Sequence, residues 1–139
     1  MVEGQLVAAH DVGRIINSLT YTNQMRGGVV QGFGYGLMEE RVVDERFGLV
    51  LNPEMEDYHL PTMADIPPID VPLVNVPDPN ANPVGAKGAG EPPIIPTAPA
   101  IANAIFHATG VRVTDLPITR DRLLAALAKG SGGTAESER

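Results

Sequence analysis

The residues best equipped for chemistry lie together in Val84-Gly85-Ala86-Lys87-Gly88-Ala89-Gly90-Glu91-Pro92-Pro93. Glycines at 85, 88 and 90 free the backbone for positive φ and for close approach to another group. Lys87 is one of only two lysines in the chain. A phosphate loop of the Gly-x-x-x-x-Gly-Lys type needs Ser or Thr after the lysine, and Gly88 stands there instead. The run Gly32-Phe33-Gly34-Tyr35-Gly36 falls inside a helical pattern rather than after a strand, so it is no dinucleotide fingerprint. What remains is a carboxylate, Glu91, on a glycine turn at the start of a helical stretch. Free N–H groups at a helix start favour its ionised form, and a dry pocket favours its protonated form. Such a group serves as a general base when a proton lies within hydrogen-bond reach. The plainer alternative is that Glu91 caps the turn and Lys87 is a solvated loop lysine.

Several elements must hold this segment. Gln5–His10 reads as a strand ending at the turn Asp11-Val12-Gly13-Arg14. Asn17-Ser18-Leu19-Thr20 supplies N-cap candidates for a helix from about Thr20 to Val43, whose Val29, Val30, Phe33, Leu37 and Met38 have helical spacing. Gly27, Gly28, Gly32, Gly34 and Gly36 lie inside it, each costing about 1 kcal/mol relative to alanine. Gly28, Gly32 and Gly36 share one face, which invites a close neighbour, a helix or a flat ligand. That face is expected to wrap a partner outside the chain. Short strands follow at Phe47–Leu51, after a turn at Asp44–Arg46, and at Asp70–Val76, with Pro72 demoting the latter to an edge.

Twelve of the 13 prolines fall between Pro53 and Pro99, a stretch expected to be extended segments and turns. A helix is expected over Ala98–Thr109 with Gly110 as its C-cap, and another over Arg120–Ala128 between Thr119 and Gly130. Residues 129–139 read as a disordered tail beyond a single body, 1–128. The fold class is α+β, with short mixed strands, one long glycine-rich helix and two shorter helices.

Composition narrows the partners. Ten Lys and Arg against 17 Asp and Glu give a net charge of −7 in 139 residues, which argues against a nucleic-acid or anionic-membrane binder. With 43% apolar residues a core can form. There is no cysteine, hence no disulfide and no Cys-held iron–sulfur cluster, and the chain cannot carry one-electron chemistry by itself. His10, His59 and His107 lack metal-ligand spacing. The start of the chain has neither the basic region nor the apolar run of a secretory leader, so a soluble cytoplasmic protein is the expectation.

Four blocks occur in order: Ala8–Asn17 (AAHDVGRIIN), Gln24 followed by Gly27–Gly32 (GGVVQG), Asp57–Thr62 (DYHLPT) and Gly85–Pro93 (GAKGAGEPP). Together, over roughly Gln5 to Leu127, they resemble the C-terminal end of the molybdopterin-binding subunit of the xanthine dehydrogenase and aldehyde oxidase family. The resemblance implies a molybdenum hydroxylase that places water-derived oxygen on the carbon of an aldehyde or N-heterocycle, a small-molecule substrate. Glu91 is then the general base, Gln24 hydrogen-bonds the pterin, and Gly88 and Gly90 keep the wall beside the metal thin. Lys87 positions the loop. The chain itself supplies no ligand to the metal.

Three positions depart from the family pattern: Ser18 where proline is usual, Asn23 where glycine is common before Gln24, and Arg26 where an acidic residue is common. The family's molybdenum chain is far longer, so the resemblance implies a fragment or a naturally split subunit. It would need the remainder of the molybdenum-binding subunit and partner chains or domains carrying [2Fe–2S] clusters and FAD. The form of the pterin, with or without a cytosine nucleotide, and the substrate stay open. Two alternatives accompany this reading: a non-catalytic remnant or assembly module docking to a larger chain, and a stand-alone hydrolase, which lacks a paired carboxylate or nucleophile–His spacing.

Overall fold

A computed structural model describes residues 4–132. Seven elements follow in order: β1 (Leu6–Val7), α1 (Ser18–Leu37), β2 (Val43–Asp44), β3 (Leu49–Val50), β4 (Ile69–Asp70), α2 (Ile94–Thr109) and α3 (Arg120–Gly132). This is the expected α+β class, with one long helix, two shorter ones and short strands. The chain divides into two compact units, one running to Gly32 and including Pro61–Thr97, the other made of Phe33–Leu60 and the residues from Ala98 onward. Helices α1 and α2 each begin in the first unit and continue into the second.

The first unit is built on α1. Asn17 caps it: its Oδ1 accepts from Thr20 N at 3.1 Å, and its carbonyl accepts from Tyr21 N at 3.0 Å. Tyr21, Met25 and Val29 recur every fourth residue and form a core with Ala8, Val12 and Val71. Met25 has no exposed surface. Loss of its side chain to alanine at such a site costs about 2–5 kcal/mol. β1 lies parallel to β4, with Leu6 opposite Ile69 and Val7 opposite Asp70. The ladder is far shorter than the strands expected at Gln5–His10 and Asp70–Val76, because Pro72 has no N–H to continue it.

The glycine face of α1 is filled from within the chain, which corrects the expectation of an absent partner there. In the first unit a Cβ at Gly28 would stand 3.1 Å from the Pro93 ring, and one at Gly32 would stand 2.5 Å from Thr97 Cβ. The α1 backbone therefore meets the start of α2 at a distance no side chain on that face would allow. Pro93 is fully buried by this contact, and Thr97 is buried with its hydroxyl donating to Pro93 O at 2.6 Å. Helix α2 begins at Ile94, four residues before the expected Ala98, so Pro96 is helical rather than extended and Pro99 falls in the second turn rather than the first. Pro96 lies in the first turn, where an N–H would have no helical acceptor; Pro99 forgoes one bond.

In the second unit α1 ends at Leu37, six residues before the expected Val43. Met38 N and Glu39 N both donate to Gly34 O, at 2.8 and 2.9 Å. Beyond them Asn52 takes over: its Nδ2 donates to Glu40 O at 2.6 Å, and its Oδ1 accepts from Val42 N at 2.8 Å. That splint turns Val42-Val43 into the antiparallel β2–β3 hairpin, whose turn closes from Gly48 N to Asp44 O at 2.7 Å. The expected strand at Phe47–Leu51 is realised only at Leu49–Val50.

Gly36 opens onto Ala98, 3.3 Å from where its Cβ would be. Helix α2 stops at Gly110, which has φ +73° and donates to Phe106 O at 2.7 Å, as its position in the sequence implies. Thr119 begins α3 as expected, its carbonyl accepting from Leu123 N at 2.9 Å. The helix passes Gly130, expected as its stop, and reaches Gly132; residues 133–139 of the expected tail lie outside the described residues. Among the described residues no helix is long and apolar enough to cross a membrane.

The glycine face gives a paired prediction. Gly32→Ala gains about 1 kcal/mol of helix propensity but overpacks against Thr97, so a net loss of about 1–2 kcal/mol is expected in urea melts. Gly27→Ala, with nothing within 4 Å of the added Cβ, is expected to stabilise by up to about 1 kcal/mol.

Candidate functional site

The segment that carries Glu91 is tied down before it reaches that residue. Asn82 cradles its own loop: Oδ1 accepts from Val84 N at 3.1 Å and Gly85 N at 2.8 Å, and Nδ2 donates to Ala86 O at 2.6 Å. Gly85 has φ +75°, and its carbonyl accepts from Arg14 N at 2.7 Å and Asp78 N at 3.0 Å. Lys87 N then donates to Val12 O at 2.8 Å, completing a bridge between Gly13 and Ala86. Gly13, at φ +68°, is required here, because a Cβ on it would lie 2.3 Å from Gly85 O. Asn75 Oδ1 accepts from Ile15 N at 2.9 Å, a second tie between the same two stretches.

Lys87 sits at the centre of this knot. Its Nζ is 3.1 Å from Asp11 Oδ2 and 3.4 Å from Asp78 Oδ2. The Gly13 N–H, then Lys87, hold the Asp11 carboxyl below its ordinary value. The Asn80 N–H does the same for Asp78, with Lys87 again contributing. The hydrogen bond to Asp11, reinforced by both carboxylates, holds the Lys87 ammonium above its ordinary value. All three groups are part-exposed, so solvent screens the pairing.

Past Lys87 the chain runs through Gly88 and Gly90, where an added Cβ would meet nothing within 4 Å, with Ala89 packed against the core between them. Glu91 follows, exposed; its carbonyl accepts from Ile94 N at 3.2 Å. Among the described residues its carboxylate has no hydrogen-bond or ion-pair partner. Gln24, on α1, is exposed and lines a cleft of about 400 Å³ together with Arg14, Thr20, Lys87 and Ala89. The fold therefore brings Gln24 and Lys87 to one concavity, with Ala89 on its wall, and leaves Gly88, Gly90 and Glu91 outside its lining. A larger hollow, about 900 Å³, lies in the second unit between the Gly110–Leu116 stretch and α3, and none of the candidate residues lines it.

The sequence did not single out Asp11, Asp78 or Asn82 as the anchors of this loop. Asn82 precedes Pro83-Val84-Gly85, a turn-forming context that is a usable signal. The pairing of Asp11 with Lys87 spans 76 positions and leaves no local trace.

A pH prediction follows from the knot. The carboxylates have lowered pKa values when folded, so their stabilisation is complete above an unfolded value of about 3.9 and is lost as pH falls through the lower folded values. The urea midpoint is expected to fall modestly below about pH 4, the pairing being screened by solvent. Lys87→Met is expected to make that drop shallower without abolishing it, since the Gly13 and Asn80 N–H bonds remain.

A family model for a molybdopterin cofactor-binding domain matches residues 4–67. The xanthine dehydrogenase molybdenum-binding subunit of Escherichia coli O157:H7 is 43% identical over 119 residues, 86% of this chain and 16% of that protein. The aldehyde oxidoreductase molybdenum-binding subunit PaoC of the same organism is 43% identical over 123 residues, 88% of this chain and 17% of that one. Among solved structures, quinoline 2-oxidoreductase from Pseudomonas putida 86 superposes with a TM-score of 0.80 at 32% identity, over 88% of this chain and 16% of that one. The chain thus spans about one sixth of the length of the proteins it matches. On sequence and on fold alike, it belongs to the family of molybdenum-binding subunits of xanthine dehydrogenase and aldehyde oxidoreductase.

Proposed function

We propose that residues 1–128 form one portion, the C-terminal one, of a molybdopterin-binding subunit, supplying a general base and part of the pterin site to a molybdenum hydroxylase. The observation that carries this reading is the Gly88–Glu91 strip. It is held from Asn82 and Lys87 on one side and by Pro93 on the other, yet among the described residues a Cβ at Gly88 or Gly90 would meet nothing within 4 Å, and Glu91 is exposed. A stretch fixed at both ends and seated by Ala89, with its two glycines and its carboxylate open, suits a group brought against it from outside.

The residues present fit a pterin cofactor in kind. Gln24 offers an amide donor and acceptor at the mouth of a cleft, matching a ring edge that presents both. Gly88 and Gly90 leave room for a flat group to approach the backbone. When bound, the molybdenum centre accepts the two electrons released as a substrate C–H and water become C–OH and two protons. Glu91 takes up one of those protons at its carboxylate. Lys87, held by two aspartates, orients the loop and is not itself a proton donor in this scheme.

The substrate is a small aldehyde or N-heterocycle, and its pocket is completed by the remainder of the subunit. Partner chains or domains bearing [2Fe–2S] clusters and FAD take the electrons onward. A pterin carrying a cytosine nucleotide is the form we favour.

The assembled enzyme tests this. Glu91→Gln keeps the shape and removes the base, so turnover per molybdenum is expected to fall at least about 10²-fold with metal content unchanged. Gln24→Ala is expected to lower molybdenum–pterin occupancy instead. Wild-type turnover in the Glu91 variant would favour the second reading, a non-catalytic assembly module, which the exposure of Glu91 outside the Gln24 cleft also supports.

A further inference from the structure

Gly28 has no role in the chemistry above, yet its position links the two residues that do. It lies one helical turn after Gln24 on the same stripe of α1, a rise of about 6 Å. The Pro93 ring rests on it: a Cβ there would stand 3.1 Å from Pro93 Cβ and Cδ and 3.2 Å from its Cγ. Pro93 is fully buried and is two residues from Glu91. On the other side of Glu91, Ala89 packs against the core beside α1 and lines the cleft shared with Gln24. The backbone of Glu91 is therefore clamped between Ala89, seated on the core that α1 helps to form, and Pro93, seated on α1 itself.

We infer that Gly28 is a positioning residue, seating Pro93 so that the Glu91 turn is held at a fixed offset from Gln24. The inference rests on the proposed role of Glu91. A methyl group at position 28 would push the Pro93 ring away by a few tenths of an ångström, because a Cβ contact near 3.1 Å is tighter than ordinary packing. The displacement passes to Glu91 through only two residues, Pro92 and Pro93, whose rings fix φ and leave little slack to absorb it. A base misplaced by about 1 Å can lose about 10²-fold in rate, so a shift of this size is expected to lose about tenfold.

The test uses the assembled molybdenum enzyme and four variants: Gly28→Ala, Pro93→Ala, the two combined, and Glu91→Gln. Turnover per molybdenum, KM, molybdenum content and hydrogen exchange at the Ile94 amide, which donates to Glu91 O, are measured for each. Each single change at the seat is expected to lower kcat about tenfold, with KM within about twofold and molybdenum content unchanged. The Ile94 amide is expected to exchange faster in both. The double variant is expected to be no slower than the worse single, because the two act through one contact.

Should Gly28→Ala fail to accumulate, Pro93→Ala, which inserts no heavy atoms, carries the test alone. Wild-type kcat in Pro93→Ala beside an inactive Glu91→Gln would overturn the positioning role and leave the base intact. Falls that multiply in the double variant, or loss of molybdenum in place of a change in kcat, would overturn it too. Full turnover in Glu91→Gln would overturn both readings.

Discussion

The close approach of the α1 backbone to the start of α2 is the constraint on which the first unit depends. Gly28 and Gly32 lack the Cβ atoms that would hold the Pro93–Thr97 turn away, and that turn fills the space with a proline ring and a threonine side chain. Each glycine gives up about 1 kcal/mol of helix propensity relative to alanine. The loss is offset by burying Pro93 and Thr97 against a surface they match. Because the contact is backbone against side chain, it tolerates little sliding, and the chain entering α2 has a defined place to arrive from.

That place of arrival explains the other ties in the loop. Between Asn75 and Lys87 the chain is secured by backbone hydrogen bonds to Val12 and Arg14, by the Asn82 amide and by the ammonium of Lys87 between two carboxylates. These devices are polar and part-exposed, so each is weak alone. Their value lies in number and in direction: they converge on the turn at Asp11–Arg14 and leave the following strip free of packing at Gly88 and Gly90. Charge assists in the same sense. One lysine satisfies two aspartates, so the loop is neutral neither in sum nor in isolation, and its excess negative charge stays next to the cation that holds it.

Much of this arrangement could be read from local signals. Asn17 as a cap, Gly110 as a stop, the turn at Asp44 and the helical spacing from Val29 onward are properties of a few adjacent residues. The glycine stripe was equally visible, and its meaning as a site of close contact was correct in kind. Its occupant was not legible, since Pro93 and Thr97 lie more than sixty positions away and proline argues locally against a helix. The same local rule hid the true start of α2, where the first turn tolerates prolines that would break a later one. Strand lengths were overstated because alternation and β-branching report a fit to a pleated surface, while the ladder itself needs a partner with N–H groups to offer. The anchoring of Lys87 to Asp11 depends on folding and could not have been found by spacing.

A carboxylate that is exposed in one segment of a protein and proposed as a base in the whole requires a division of labour. Water must be kept from such a group if it is to exchange a proton with a substrate-derived species rather than with solvent. On the proposed reading, burial of that kind comes from the larger part of the subunit, because this chain spans about one sixth of its relatives and leaves Glu91 exposed. What a small segment can supply is orientation. Orientation needs only a rigid seat, and a helix backbone meeting a buried proline ring provides one before any cofactor or partner arrives. On the proposed reading the two parts of such a site are asymmetric: this segment fixes where the carboxylate points, and the remainder decides what it faces.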